Sequence, residues 1–85
     1  MLENTITKQN EVVITLKDLY ASFNKVQINA YLPLEKAILK VIAKAENHDD
    51  AIAWSNKLVM FLQSQIALKQ IPITKEQDAL INSLS

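Results

Sequence analysis

The sequence predicts an all-α fold, an antiparallel four-helix bundle that forms one domain over residues 1–85. Three observations carry that expectation. Apolar residues recur at intervals of three and four in four separate segments, the spacing that lines one face of a helix. The breaks between segments are short and hold the two prolines and small polar clusters. No pair of alternating runs reads as strands, although residues 12–15 (VVIT) have local β-propensity. Amphipathic helices with short connections bury their faces most simply as a bundle.

The first helix is expected over residues 8–24, where Val12, Leu16, Leu19 and Phe23 follow at spacings of four, three and four. Val13 and Tyr20 widen this stripe, and Glu11, Lys17 and Asp18 fall outside it. Residues 25–32 break the pattern and lead to Pro33, which a first helical turn tolerates because its missing N–H would be unpaired there anyway. The second helix, residues 33–46, carries Leu34, Ala37, Ile38, Val41, Ile42 and Ala45 on one side. Lys36, Lys40 and Lys44 form a row on the other, repelling one another by roughly a few tenths of a kcal/mol per pair.

Asn47 is expected to end the second helix in a left-handed conformation, and an Asp to cap the third. The third helix is expected over residues 50–69. Ile52, Ser55, Val59, Leu62, Ile66 and Lys69 track one line; Ala51, Leu58 and Gln65 flank it; Trp54, Phe61 and Leu68 sit further to the side. Such a face is wide enough to touch two neighbours. Pro72 stops the helix and pushes Ile71 toward an extended conformation. Thr74-Lys75-Glu76-Gln77 reads as a capping box for a last helix over residues 75–84, with Leu80, Ile81 and Leu84 apolar. A hydrophobic staple from Ile73 is incomplete, because its partner position holds Asp78.

Composition narrows the function. The chain has 85 residues, with nine lysines balanced by nine acids, and neither arginine, glycine nor cysteine. A neutral chain lacks the basic face with which a small duplex-binding protein neutralises phosphates, so no nucleic-acid partner is expected. Without glycine there is no phosphate-cradling loop, and without cysteine no disulfide, thiol nucleophile or zinc–thiolate site. The first ten residues do not read as a secretory signal. The longest apolar run, residues 58–62 (LVMFL), is far short of the roughly 20 residues that span a bilayer. A soluble, cytoplasmic chain without membrane insertion is therefore expected, monomeric in preference to dimeric, with about 3–5 kcal/mol of net stability.

No cofactor, metal or catalytic residue is expected. The lone His48 beside Asp49 and Asp50 reads as part of a helix-capping cluster in preference to a metal site. Glu35 and Glu46 lie roughly three helical turns apart, about 16 Å, too far to act as an acid–base pair, and read as surface charges. Ser22, Ser55, Ser64, Ser83 and Ser85 have only His48 as a candidate base. Helical mutases of dicarboxylic substrates hold their carboxylates with arginine forks, which this chain lacks. Trp54 reads first as packing between helices and second as an anchor for a protein partner. The lysine row reads as a solvated face, since a membrane-contacting one would want interfacial aromatics beside it.

The stretch from Asn56 to Ser85 (NKLVMFLQSQIALKQIPITKEQDALINSLS) resembles the immunity proteins against pediocin-like (class IIa) bacteriocins, in particular the enterocin A immunity subgroup. The family's Asn-x-Leu-Val-x-[FY]-Leu run corresponds to Asn56, Leu58, Val59, Phe61 and Leu62. Its Ile-x-[FYIL]-Thr segment corresponds to Ile71, Ile73 and Thr74, and its Gln-x-x-Leu-Ile-x-x-Leu-Ser ending to Gln77, Leu80, Ile81, Leu84 and Ser85. The first 55 residues resemble the family only in length and helical pattern.

The resemblance implies a cytosolic antiparallel four-helix bundle that is not an enzyme and protects a lactic-acid bacterium from a bacteriocin. The implied partner is the membrane-embedded mannose phosphotransferase permease occupied by bacteriocin, bound at its inner face so that pore opening is blocked. Specificity in the family is associated with the C-terminal half, which implies contacts around the last two helices and their junction; position at the end of the third helix and on the polar side of the fourth selects Lys69, Gln70, Lys75, Asp78 and Asn82 there. Many members continue beyond the Leu-Ser ending in a tail that this chain, stopping at Ser85, does not match. The competing expectation is a small helical adaptor or regulatory subunit that binds a soluble protein partner, with the wide third-helix face available for a dimer.

Overall fold

Where the apolar stripes run decides which way each helix faces. A computed structural model of the chain describes residues 2–47 and 49–85, with side chains from Gln9 onward. Helix α1 spans Leu2–Asn24, α2 Leu32–Glu46, α3 Ala51–Lys69 and α4 Lys75–Ser83. Among the described residues there is no strand. The segment at residues 12–15 is helical, because its place in the α1 stripe overrides a weak local preference. Helix α1 starts earlier than the apolar pattern predicts. Extending an existing helix adds one hydrogen bond for each residue fixed, so polar residues can join it without an apolar stripe of their own.

Helix α1 packs against each of the other three helices, and α3 lies against both α2 and α4. The direction of α2 follows from two contacts. Asn24 Nδ2 donates to Glu35 Oε1 at 3.2 Å, while Lys17 Nζ stands 3.7 Å from Glu46 Oε2. Moving back along α1 thus moves forward along α2, and the pair is antiparallel. The result is a rod of 40 × 19 × 19 Å.

The four residues of the α1 stripe, Val12, Leu16, Leu19 and Phe23, are all buried. They meet Leu34, Ile38, Val41 and Ile42 of α2, Leu58, Val59 and Leu62 of α3, and Ile81 and Leu84 at the C-terminal end. Two core residues come from outside the helices that the periodicity marks: Tyr31 and Ile71. The Tyr31 ring lies 4.6 Å from that of Phe23, tilted by 58°, an edge-to-face type of contact that adds to the burial.

The connections differ in how they end a helix. After α1, Gln27 adopts a left-handed φ of 57°, and a 3₁₀ turn over Asn29–Tyr31 leads into α2 with Pro33 in its first turn. Asn47 does not take the left-handed conformation expected of it: its φ is −89°. The reason lies in the hydrogen bonds. The Asn47 and Asp49 N–H groups both donate to Lys44 O, at 3.2 and 3.0 Å, so a right-handed turn already satisfies the last carbonyls. Asp50 then caps α3, its Oδ1 accepting from the Ile52 and Ala53 N–H groups at 3.1 Å. The expected capping role of His48 lies outside the described residues.

Helix α3 ends on Gln70, whose φ is 51°. The N–H groups of Gln70 and Ile71 both donate to Ile66 O, a glycine-type helix stop built here on glutamine. The capping box at the start of α4 forms as the sequence predicts. Gln77 N–H donates to Thr74 Oγ1 at 3.0 Å, and Thr74 N–H donates to Gln77 Oε1 at 2.8 Å.

Of the four buried polar residues, Ser22, Glu35, Ser55 and Gln77, the last three bear on how the bundle is held. Glu35, expected at the surface, is only 6% exposed. It sits in the first turn of α2, where the helix dipole favours a carboxylate, and Asn24 supplies a donor across from α1. Gln77 is buried with its amide used in the capping box. Ser55 is fully buried in α3, and its Oγ has no hydrogen-bond partner. Glu46 stays exposed beside Lys17, as a surface pair of little consequence for stability.

Two substitutions test these assignments. Asp50→Ala removes the α3 cap and should cost about 1 kcal/mol in denaturant unfolding. Ser55→Ala removes an unpaired buried hydroxyl and improves helix propensity, so it should raise stability by about 1 kcal/mol, read as a Tm several degrees higher.

Candidate interaction surface

Helix ends and helix edges, rather than a cleft, carry the polar groups of this bundle. One recess lies where α1 meets the α2–α3 connection and is lined by Val13, Ile14, Ala45, Glu46 and Ala51 together with Gln9 and Asn10. Glu46 is the one ionisable group among those residues. A second recess, between α1 and α4, gathers Asp18, Lys25 and Glu76 around Ser22. Among the described residues no three His, Cys, Asp or Glu side chains cluster in a way that could hold a metal ion. Ser83 Oγ and Ser85 Oγ donate to carbonyls three residues back along the chain, both at 2.8 Å.

The five residues predicted as partner contacts are all exposed. Lys75, Asp78 and Asn82 follow at spacings of three and four, which places them on one side of α4. Asn82 Nδ2 reaches Asp78 Oδ2 at 3.5 Å, within that side. Lys69 and Gln70 lie across the 71–74 connection, at the C-terminal end of α3.

That connection is tied to the rest of the bundle at two points. Ile71 is buried, and the Tyr31 hydroxyl donates to Pro72 O at 2.6 Å. The same hydroxyl stands 3.5 Å from Gln77 Oε1. A side chain from the α1–α2 connection thus fixes the α3–α4 connection, with the Thr74–Gln77 box on its far side. The sequence gives no sign of this role for Tyr31. It stands outside every apolar stripe, and its partner in the chain is a backbone carbonyl 41 positions away.

A different feature emerges along the edge between α2 and α3. Trp54 is half-buried against the core, and its ring lies under two ammonium groups: Lys44 Nζ at 5.2 Å and Lys57 Nζ at 5.1 Å from the ring centroid. Below it a shallow depression of about 240 Å³ is lined by Ala37, Lys40 and Val41 of α2 and by Trp54, Lys57, Leu58 and Phe61 of α3. Packing explains one side of Trp54 and leaves the other open. The Trp54–Lys57 contact is readable in sequence as a helical spacing of three, whereas Lys44 joins it only through the antiparallel pairing of α2 with α3.

Comparison of the chain with family models, with curated proteins and with solved structures finds no match.

The hydroxyl of Tyr31 offers a direct check on how the C-terminal junction is held. Tyr31→Phe keeps the ring on Phe23 and deletes only the hydroxyl with its contacts to Pro72 O and Gln77 Oε1, so it should cost about 1 kcal/mol in chemical denaturation with unchanged helix content by circular dichroism.

Proposed function

We propose that this chain is a bacteriocin immunity protein, acting by binding rather than catalysis on a bacteriocin-occupied permease of the mannose phosphotransferase type. The observation that carries this reading is the C-terminal junction, which coincides with the stretch that resembles the immunity family. Of the residues that carry the resemblance, Leu58, Val59, Leu62, Ile71, Ile81 and Leu84 are core residues. Thr74 and Gln77 form the capping box. Together they hold Lys75, Asp78 and Asn82 in register on the exposed side of α4, which suits a contact surface more than a reaction centre.

The physical basis of protection is differential binding. A protein with higher affinity for the occupied permease than for the free one accumulates only on the occupied form and biases it toward a closed state. Equal affinity for both forms would shift nothing, and a simple blocker of the permease would also obstruct sugar uptake.

Expression in a sensitive strain, followed by survival against a panel of pediocin-like peptides, tests the reading. Protection against one or a few peptides, with sugar uptake intact, is the expected outcome. A strain that makes the protein and remains fully sensitive to the whole panel would favour the adaptor reading instead. Exchanging Lys69, Gln70, Lys75, Asp78 and Asn82 for residues of opposite or no charge should lower protection without unfolding the bundle. Unchanged protection would remove those five from the contact.

A further inference from the structure

We infer that the α2–α3 edge is a docking surface for a bilayer that contains anionic phospholipids, with the bundle lying on the lipid surface rather than entering it. This inference is independent of the immunity reading, since it rests on a different face of the molecule.

Charge comes first. The chain is neutral overall, yet its charges are sorted. Helix α3 contains no Asp or Glu at all. The edge of α2 that meets it carries Lys40 and Lys44, with Lys57 facing them from α3. The two carboxylates of α2 lie on its opposite edge, where Glu35 meets Asn24 and Glu46 meets Lys17 of α1. At the Lys44 end the α2–α3 connection carries Asp49, which is exposed and outside the lining of the depression, and Asp50, whose carboxylate is turned to the backbone N–H groups of α3. An anionic occupant therefore meets lysines without a competing acid inside the depression.

Apolar chemistry then selects the kind of anion. Trp54, Phe61 and Leu68 recur every seven residues along the same edge of α3 and so form a ridge about 21 Å long. Phe61 is 39% and Leu68 77% exposed. A ridge of indole, phenyl and isobutyl groups flanked by ammonium groups matches the headgroup boundary of a membrane. There the rings reach the acyl region while lysine stems extend their charges to phosphate. A polyanion in water would satisfy the lysines and leave Leu68 and Phe61 no better covered. No helix among the described residues is long and apolar enough to cross a membrane, so the contact is peripheral. The lysine row of α2, read alone, lacks aromatic neighbours; folding supplies them from α3.

The single tryptophan makes the test direct. The full chain is titrated with vesicles of phosphatidylcholine alone and of phosphatidylcholine mixed with phosphatidylglycerol, and Trp54 emission is followed together with vesicle co-sedimentation. A blue shift and co-sedimentation with the anionic vesicles only, weakening as salt rises, are expected. Lys40→Gln with Lys57→Gln should weaken partitioning about 25-fold, since each lysine near an anionic surface contributes roughly a factor of five. Leu68→Ser, at an exposed position, should weaken it while leaving the circular dichroism spectrum unchanged. No spectral change with anionic vesicles overturns the inference, as does equal partitioning of the lysine variant. An equal response of Trp54 to soluble poly-glutamate also overturns it and assigns the edge to an acidic protein segment.

Discussion

One buried phenol ties together the parts of this protein that helical periodicity does not control. Tyr31 leaves the α1–α2 connection, packs its tilted ring against Phe23 of α1, and reaches across the end of the bundle to the carbonyl of Pro72. Four helices can satisfy their own backbones and bury their stripes without it. The chain ends of α1 and α3, however, turn around at the same end of the rod, and neither turn has a disulfide or a glycine to define it. A single hydrogen bond at 2.6 Å, backed by an aromatic contact in the core, fixes one turn against the other. The position of α4 follows, because its capping box begins two residues after Pro72. In a chain this small, with a net stability of only a few kcal/mol expected, such a cross-link between loops has more weight than another apolar contact within the helices.

How much of this was legible in the sequence depends on whether a residue acts through its own helix or across the bundle. The stripe of Val12, Leu16, Leu19 and Phe23 announces its burial by spacing alone, and the Thr74–Gln77 box and the Asp50 cap are local chemistry. Those features were readable. Glu35 was not, since its neighbour Asn24 comes from another helix and a carboxylate gives no hint of which side it will be on. Tyr31 and Ile71 were not, because core residues in connections follow no period. Asn47 misled in a different way. Its type favours a left-handed helix end, but the hydrogen bonds to Lys44 O met the same need in a right-handed turn. Of the surfaces, the exposed side of α4 could be anticipated from its spacing, whereas the lysine–tryptophan edge exists only after α2 and α3 are brought together.

The bundle thus separates two kinds of surface. One is the end that carries Lys69, Gln70 and the exposed side of α4, where mixed charge and amide groups stand on a junction fixed by Tyr31 and the capping box. The other is the α2–α3 edge, long, basic and partly apolar. Mixed-charge surfaces favour selective pairing with a protein, because wrong partners meet like charges. A one-signed edge with exposed aliphatic groups discriminates little between similar sequences and responds to the physical state of what it meets. A molecule built with both can be recruited by one surface and select its target with the other.

The two left-handed glutamines have a consequence for how the molecule moves. Gln27 and Gln70, with φ of 57° and 51°, occupy a conformation that costs a side-chain-bearing residue about 1–2 kcal/mol. Both follow the C-terminal ends of helices at the same end of the rod, beside the Tyr31–Pro72 bond. Among the described residues the strain is therefore concentrated where one hydrogen bond holds two turns, while Asn47 and the Asp50 cap at the opposite end carry none. Brief openings of the native state should begin at the glutamine end and release α4 first, so amide protons of the 25–31 and 70–77 segments exchange with solvent well before those in the middle of α1.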